Sequence, residues 1–236
     1  MTKRYLRMLT NAEAWTKQHF PEYFQLWCPI DEGSPVDSDA VLKAVVEDFA
    51  DGVVEDTRHL GGFCFVAVRE ASYALFELGV RHAVTIGSVK LDGRSFYQFS
   101  KKVLIKELRE GYVPNTPANG HAWLTLSDGT VLDPTILSSI RNRQELKTTD
   151  LADAIFHSNR PCPFDIHHEP LMLGLGYHFG VVCAPFTDRY ASMYEQWFND
   201  LFAFEARVGG RSEAWKVNSR WQFDKMVRLD ASSERT

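Results

Sequence analysis

Three side chains of the sequence could together perform nucleophilic chemistry: Cys64, His121 and Asp133. A cysteine attacks only as its thiolate, so it needs a base that carries the proton and an acceptor that orients that base. Cys64 follows Gly61-Gly62 and opens a segment with helical periodicity. The positive end of a helix favours a thiolate, and the backbone N–H of Cys64 could donate to an oxyanion. The two glycines would let a substrate approach closely.

The segment after Cys64 predicts the element that positions this side chain. Residues 62–78 indicate a helix with Gly79 just past its end. The apolar residues recur at helical spacing and predict one buried face made of Cys64, Val68, Ala71, Leu75 and Leu78. A lone cysteine on such a face is usually part of the core, so the chemistry depends on the other two residues.

The segments 121–126 and 131–135 predict a β-hairpin that carries both His121 and Asp133. A two-residue turn would place these two side chains on opposite faces of the hairpin. A three-residue loop with Gly129 in the left-handed conformation pairs leucine with leucine, and it brings His121 and Asp133 to one face as diagonal neighbours. We predict the three-residue loop, and with it a hydrogen bond between the two side chains.

The strings GGFCFVAVREASYALFELGV and HAWLTLSDGTVLDPT resemble the core of the transglutaminase-like superfamily of papain-like folds. Its members place a cysteine at the start of a helix after a glycine-rich turn, and later carry a His-x-Trp strand and an Asp-Pro on the next strand. The resemblance implies an α+β domain in which the nucleophile helix packs on an antiparallel sheet. It also implies that Cys64 is the nucleophile, His121 the general base and acid, and Asp133 the residue that orients the histidine.

The activity that this resemblance implies is thiol-dependent acyl transfer at an amide bond of a peptide or protein, without a metal or organic cofactor. We expect hydrolysis by a cysteine peptidase or amidase. Deamidation or cross-linking of a protein glutamine remains open, as does an arylamine N-acetyltransferase-like reaction and a non-catalytic binding protein that keeps the fold. The candidate oxyanion or substrate-binding residues are Gly62, Phe63, Phe65 and Trp123.

Composition limits the class of protein. The chain has 236 residues, 44% of them hydrophobic, which predicts a folded single domain. We expect a helical addition over 1–55, a catalytic core over 56–136, and an extension over 137–236 that completes the sheet and adds a helix. The net charge of −5 argues against nucleic acid or anionic membrane as partners. No apolar stretch is long enough to span a membrane, so we expect a soluble, cytoplasmic protein; the oligomeric state stays open.

The remaining elements are predicted more coarsely. Helices are expected over 10–27 with a break near Pro21, 38–50, 99–110, part of 138–160 and 188–206, and strands over 80–91 and 171–183. The segment 94–119 could form a lid or a specificity loop. Four residues of types that can bind zinc are His157, Cys162, His167 and His168. Their spacing fits no standard zinc signature, so we interpret them as ordinary loop residues. Substrate contact is the alternative if this loop lies over the cleft.

Overall fold

The computed structural model describes residues 2–19, 35–52, 57–111, 113, 116–147, 149–174 and 176–182, together with 196, 199, 200 and 203. Its helices are α1 (Lys3–His19), α2 (Ser38–Gly52), α3 (Cys64–Glu77), α4 (Lys101–Glu110), α5 (Ile136–Arg143) and α6 (Leu151–Ala154), with a 3₁₀ turn at Thr57–Leu60. Its strands are β1 (His82–Leu91), β2 (Arg94–Tyr97), β3 (His121–Leu126), β4 (Val131–Asp133), β5 (Phe156–His157) and β6 (Ile166–Leu173). This is the predicted α+β class. None of the described helices has the length and apolarity that crossing a bilayer requires.

The six strands form one antiparallel sheet around β1, which is its longest strand. β3 pairs with the first half of β1 and β2 with the last residues of β1, while β6 pairs along the other edge of β1. β4 and β5 extend the sheet beyond β3. Both β5 and β6 come from the part of the chain after residue 137, and they supply strands to the sheet that carries His121 and Asp133.

The two faces of the sheet pack against different helices. On one face, α2 and α3 form a core with residues of β1 and β3 that include Ile86, Ala122 and Leu124. On the other face, Tyr5 and Leu9 of α1 pack in a second core that includes Trp123 and α5. The alternation of side chains along β3 therefore divides the strand between two cores. His121 lies at the start of this strand, opposite Gly87 in the middle of β1.

The helix predicted over residues 62–78 is confirmed, apart from the end of its apolar stripe. α3 begins at Cys64 and ends at Glu77, and Gly79 takes the left-handed conformation with φ +73°. The first four stripe residues are buried. The prediction for Leu78 is wrong, because this residue lies one position past the last helical residue and is 42% exposed.

Two other predicted elements need correction. The N-terminal helix begins at Lys3, earlier than predicted, and ends at His19. The strand predicted over 171–183 lies at Ile166–Leu173 instead, and His178–Val182 is helical. Gly174 has φ +82° and its N–H bonds to the carbonyl of Val84, so the chain turns away from the sheet at this point. Pro21 and most of the helix predicted over 188–206 lie outside the described residues.

Candidate active site

Cys64 is the first residue of α3, and it lies in the first turn as the sequence predicts. The N-cap residue Phe63 makes no side-chain capping bond, and the first bond that closes the helix runs from the N–H of Ala67 to the carbonyl of Phe63 at 2.9 Å. The backbone N–H groups of the first turn therefore keep their positive potential next to the thiol. Gly62 before them has φ +92°, and no atom lies within 4 Å of where a Cβ would stand. The helix begins beside open space.

The hairpin adopts the predicted register. Leu124 lies opposite Leu132, and the loop residue Gly129 has φ +82°. His121 and Asp133 consequently lie on one face, and Nε2 of His121 donates to Oδ2 of Asp133 at 2.6 Å. Both side chains have no solvent exposure. A charge-assisted hydrogen bond this short, shielded from water, fixes the orientation of the imidazole.

The carboxylate of Asp133 is held at both oxygens. Oδ1 accepts from the backbone N–H groups of Thr135 and Ile136 at 3.0 Å each, and from Oγ1 of Thr135 at 3.3 Å. Oδ2 accepts from His121 and from Nε2 of His168, the latter at 2.9 Å. Five donors at two oxygens leave the carboxylate in one orientation at the start of α5, where negative charge is favoured.

The electrostatics of the pair follow from these contacts. Burial alone would raise the pKa of Asp133, but the charge of His121 and the hydrogen bonds from His121 and His168 hold it below its usual range. Burial would lower the pKa of His121, yet the carboxylate of Asp133 and the nearby thiol of Cys64 raise it well above 6.5. The site therefore favours a protonated imidazole beside a carboxylate.

The ring of His121 has one nitrogen left for chemistry. Nε2 is bound to Asp133, whereas Nδ1 is buried and has no hydrogen-bond partner within the described part of the chain. Cys64 lies close enough to the ring to raise its pKa. The thiol and the imidazole are thus adjacent without a hydrogen bond of ordinary geometry. An ionised Asp133 requires the hydrogen on Nε2, so Nδ1 is the ring nitrogen that the carboxylate leaves unoccupied.

An aromatic residue of β2 covers His121. The ring of Tyr97 stacks on the imidazole with 4.5 Å between centroids and 7° between planes. Its hydroxyl donates to Oγ of Ser139 in α5 at 3.0 Å. The guanidinium of Arg143 lies over the ring of Phe96 at 4.0 Å and donates to the Phe96 carbonyl at 2.8 Å. The beginning of the segment 94–119 is thereby clamped between His121 and α5.

The candidate substrate-binding residues occupy unlike positions. Phe63 is 59% exposed, beside the exposed Gly62, so both could meet a substrate. Phe65 points into the core and stacks against Tyr177 with 5.7 Å between centroids. Trp123 is fully buried, and its indole N–H donates to the hydroxyl of Tyr5 at 3.0 Å. In this structure that N–H is therefore not free to serve as a second oxyanion donor.

The cluster of possible zinc ligands does not converge on one point. His168 lies inside β6 and bonds Asp133, whereas His167 on the same strand is half exposed and pairs with Asp165 at 3.0 Å. His157 lies in β5, and burial lowers its pKa. The sequence interpretation missed His168 as a partner of Asp133, because its strand was predicted five residues too late. Ile166 and His168 alternate with polar residues, and this alternation in the sequence could have predicted that the strand begins at residue 166.

Within the described residues, the group of side chains that could hold a metal ion by type and proximity is His121, Asp133 and His168, whose ligand atoms lie within 4.8 Å of one another. Both imidazoles point Nε2 at the same carboxylate oxygen at hydrogen-bonding distance. A metal ligand must present a lone pair, whereas these nitrogens must carry hydrogen to satisfy an ionised carboxylate. The arrangement favours protons over a metal ion. Searches of protein-family models, curated proteins and solved structures found no match to this chain.

Proposed function

We propose that this protein is a thiol-dependent acyl-transfer enzyme with a papain-like core of the transglutaminase type, which acts on amide bonds of peptides or proteins. The observation that carries the proposal is the buried bond between His121 and Asp133, next to a cysteine at an uncapped helix start. In this arrangement the helix start supplies positive potential to the thiol of Cys64, His121 accepts its proton, and Asp133 orients His121. Water is the expected final acceptor of the acyl group, which makes the reaction a hydrolysis.

The reaction follows from the atoms available. Nδ1 of His121 takes the proton from Sγ of Cys64, and the thiolate attacks the amide carbonyl to form a carbon–sulfur bond. The oxyanion accepts from the backbone N–H of Cys64. When the intermediate collapses, the carbon–nitrogen bond breaks and the leaving amine takes the proton from His121. Water, deprotonated by His121, then attacks the thioester and releases the acid and the thiol.

The approach to Cys64 is narrow. The cysteine is 8% exposed and His121 is sealed beneath Tyr97, whereas Phe63 and Val66 on the same end of α3 are exposed hydrophobics. A substrate that enters from the side of Gly62 would bring its carbonyl to the helix start and an apolar group to Phe63. We therefore expect acyl groups with an apolar side chain to react fastest.

The test is to trap the acyl-enzyme. Wild-type protein is mixed at pH 7 with short peptide amides and thioesters that carry apolar or glutamine side chains, and its intact mass is followed over time. We expect an added acyl mass at Cys64 and release of the amine or thiol. Cys64→Ser and His121→Ala should form no such adduct on the same time scale, while Cys162→Ser, which removes the other described cysteine, should behave as wild type.

The acceptor to which the acyl group is transferred distinguishes the possible enzyme classes. Release of free acid indicates a peptidase or amidase, and release of ammonia from a glutamine side chain indicates a deamidase. Transfer to an added alkylamine indicates a transglutaminase, and transfer to an aromatic amine from an acetyl thioester indicates an acetyltransferase-like enzyme. Tight binding of a peptide with no adduct under any condition would contradict the proposal and favour a binding protein.

A further inference from the structure

His168 contacts the same carboxylate oxygen of Asp133 as His121 does, and it reaches that oxygen from strand β6. Its Nε2 donates to Oδ2 of Asp133 at 2.9 Å, and its side chain is 2% exposed. The ring packs edge-on against Trp123 with 4.8 Å between centroids and lies tilted against Phe156 at 5.2 Å. These two aromatic contacts hold the imidazole in the plane that the hydrogen bond requires.

The protonation state of His168 differs from that of His121, although both rings share one carboxylate oxygen. Burial and the neighbouring charge of His121 lower the pKa of His168, and the bond to Asp133 only partly offsets this. His168 is consequently a neutral donor, and the single negative charge of Asp133 is balanced by His121. A second cation at the same oxygen would compete with His121 for that charge, whereas a neutral donor does not.

We propose that His168 is a positioning residue that extends the unit of Cys64, His121 and Asp133 by a fourth member. This inference rests on the proposed function. By donating a neutral N–H to Oδ2, His168 stops the carboxylate from rotating about its Cβ–Cγ bond and keeps that oxygen directed at Nε2 of His121. It touches neither substrate nor thiol and acts only through Asp133.

His168 belongs to the wall of a cavity of about 260 Å³, whereas Asp133, to which it bonds, does not line that cavity. Residues of α1, β5 and β6 line it, and they include Arg4, Tyr5, Phe156 and His167. His168 therefore stands between this cavity and Asp133. Truncation of His168 would join the cavity to the buried carboxylate, which makes the position open to a small molecule added from solution.

The decisive comparison is between His168→Phe and His168→Gln. Phenylalanine keeps the aromatic packing and removes the donor, whereas the side-chain amide of glutamine can place an N–H near the position of the lost Nε2. We expect the acyl-transfer rate of His168→Phe to fall roughly 10- to 100-fold, as when a supporting hydrogen bond is lost behind a functional group, and that of His168→Gln to stay near wild type. His167→Ala, one residue away, is the matched control and should change nothing.

The pH profile of Cys64 alkylation separates positioning from a merely structural role. Without the second donor, Oδ2 carries more charge, so His121 should hold its proton to higher pH and the upper inflection of the profile should rise in His168→Phe. His168→Gln should restore the wild-type inflection. A folded His168→Phe with the wild-type rate and profile would overturn this inference alone. A wild-type Cys64 that reacts like a free thiol would overturn the proposed function as well.

His168→Ala gives a second test should His168→Phe fail to fold. Added imidazole can enter from the cavity and occupy the vacated volume beside Asp133. Recovery of the acyl-transfer rate with rising imidazole concentration, to a plateau, supports the inference. An equal rate with and without imidazole in a folded His168→Ala protein overturns it. The same imidazole series on wild-type protein corrects for imidazole acting as an acyl acceptor.

Discussion

Two buried histidines on neighbouring strands have opposite electrostatic character. His82 begins β1 and lies tilted against the ring of Phe76, and its Nδ1 donates to the carbonyl of Val80 at 3.0 Å. Burial lowers its pKa to about 4. His121 begins β3, stacks on Tyr97 and bonds to Asp133, and its pKa is raised well above 6.5.

The difference lies in the partner, because burial and aromatic contact are common to both rings. A carbonyl can accept a hydrogen bond from a neutral ring, but it cannot compensate for the loss of water around a charged one. A carboxylate can, because opposite charges attract strongly where water is excluded. The charge of His121 therefore depends on one residue, Asp133, and the fold contains its own uncharged counterpart in His82.

The largest expected effect comes from Asp133→Asn, which should give His121 the character of His82. An amide keeps the shape of the side chain but removes the charge, so the pKa of His121 should fall below 6.5 and the acyl-transfer rate should fall by roughly 10³- to 10⁴-fold. Steady-state rates and the ring NMR signals of His121 measure the two changes. Asp165→Asn, at an exposed pair with His167, is the control. A folded Asp133→Asn protein with the wild-type rate would show that Asp133 has no such role.

The next effect concerns stability in acid. The folded-state pKa of His82 lies below its unfolded value of 6.5, so the unfolded chain takes up the proton first. The contribution of His82 is full above pH 6.5 and is lost as the pH falls toward 4, at a cost of about 3 kcal/mol. The pKa values of His168 and His178 are also lowered by burial, so these residues likewise contribute stability that is lost as the pH falls.

The contribution of His121 to stability has the opposite pH dependence. Its raised pKa adds stability below pH 6.5 that is lost only as the pH rises through its folded value. Urea unfolding of wild-type protein and of His82→Asn at pH 7 and pH 4 measures how the free energy of unfolding changes with pH. Asparagine can keep the bond to Val80 but cannot be protonated, so the pH dependence should become shallower. An unchanged slope in His82→Asn would contradict the assignment.

The smallest effect is expected from Tyr97→Phe, which makes the ring partner of His121 the same type as that of His82. The stacked ring stays and the bond to Ser139 is lost, so the free energy of unfolding should fall by about 1 kcal/mol. The pH dependence of Cys64 reactivity should not move, because the carboxylate sets the charge. Denaturant titration and alkylation measure both quantities. A shift of the pH profile comparable to that of Asp133→Asn would mean that the aromatic ring matters as much as the charge.

The local parts of the site could be predicted from the sequence. The register of the hairpin was readable because only one turn places Leu124 opposite Leu132, and that same turn aligns His121 with Asp133. The start of α3 was readable from two glycines followed by a periodic apolar run. In both cases residues close in the chain determine the geometry.

Contacts between distant segments could not be predicted in this way. His168 reaches Asp133 from a separate strand, and Tyr97 reaches His121 from a hairpin that precedes it in the chain. The hydrogen bond of Trp123 to Tyr5 depends on α1, which packs under the sheet from the other end of the sequence. Such contacts depend on which strand edges pair, and a single sequence does not fix that pairing.

The central claim is that Cys64 and His121 form a proton-sharing pair held by Asp133. The most direct measurement is the rate of Cys64 alkylation by iodoacetamide from pH 4 to pH 10, in wild-type protein and in His121→Ala, with each cysteine followed by peptide mass. Cys162 is the internal control, since burial raises its pKa. The account predicts fast alkylation of Cys64 near pH 6 that is lost or moved to higher pH without His121. Reaction of Cys64 near pH ~8.5 in both proteins, as for an ordinary thiol, would contradict it.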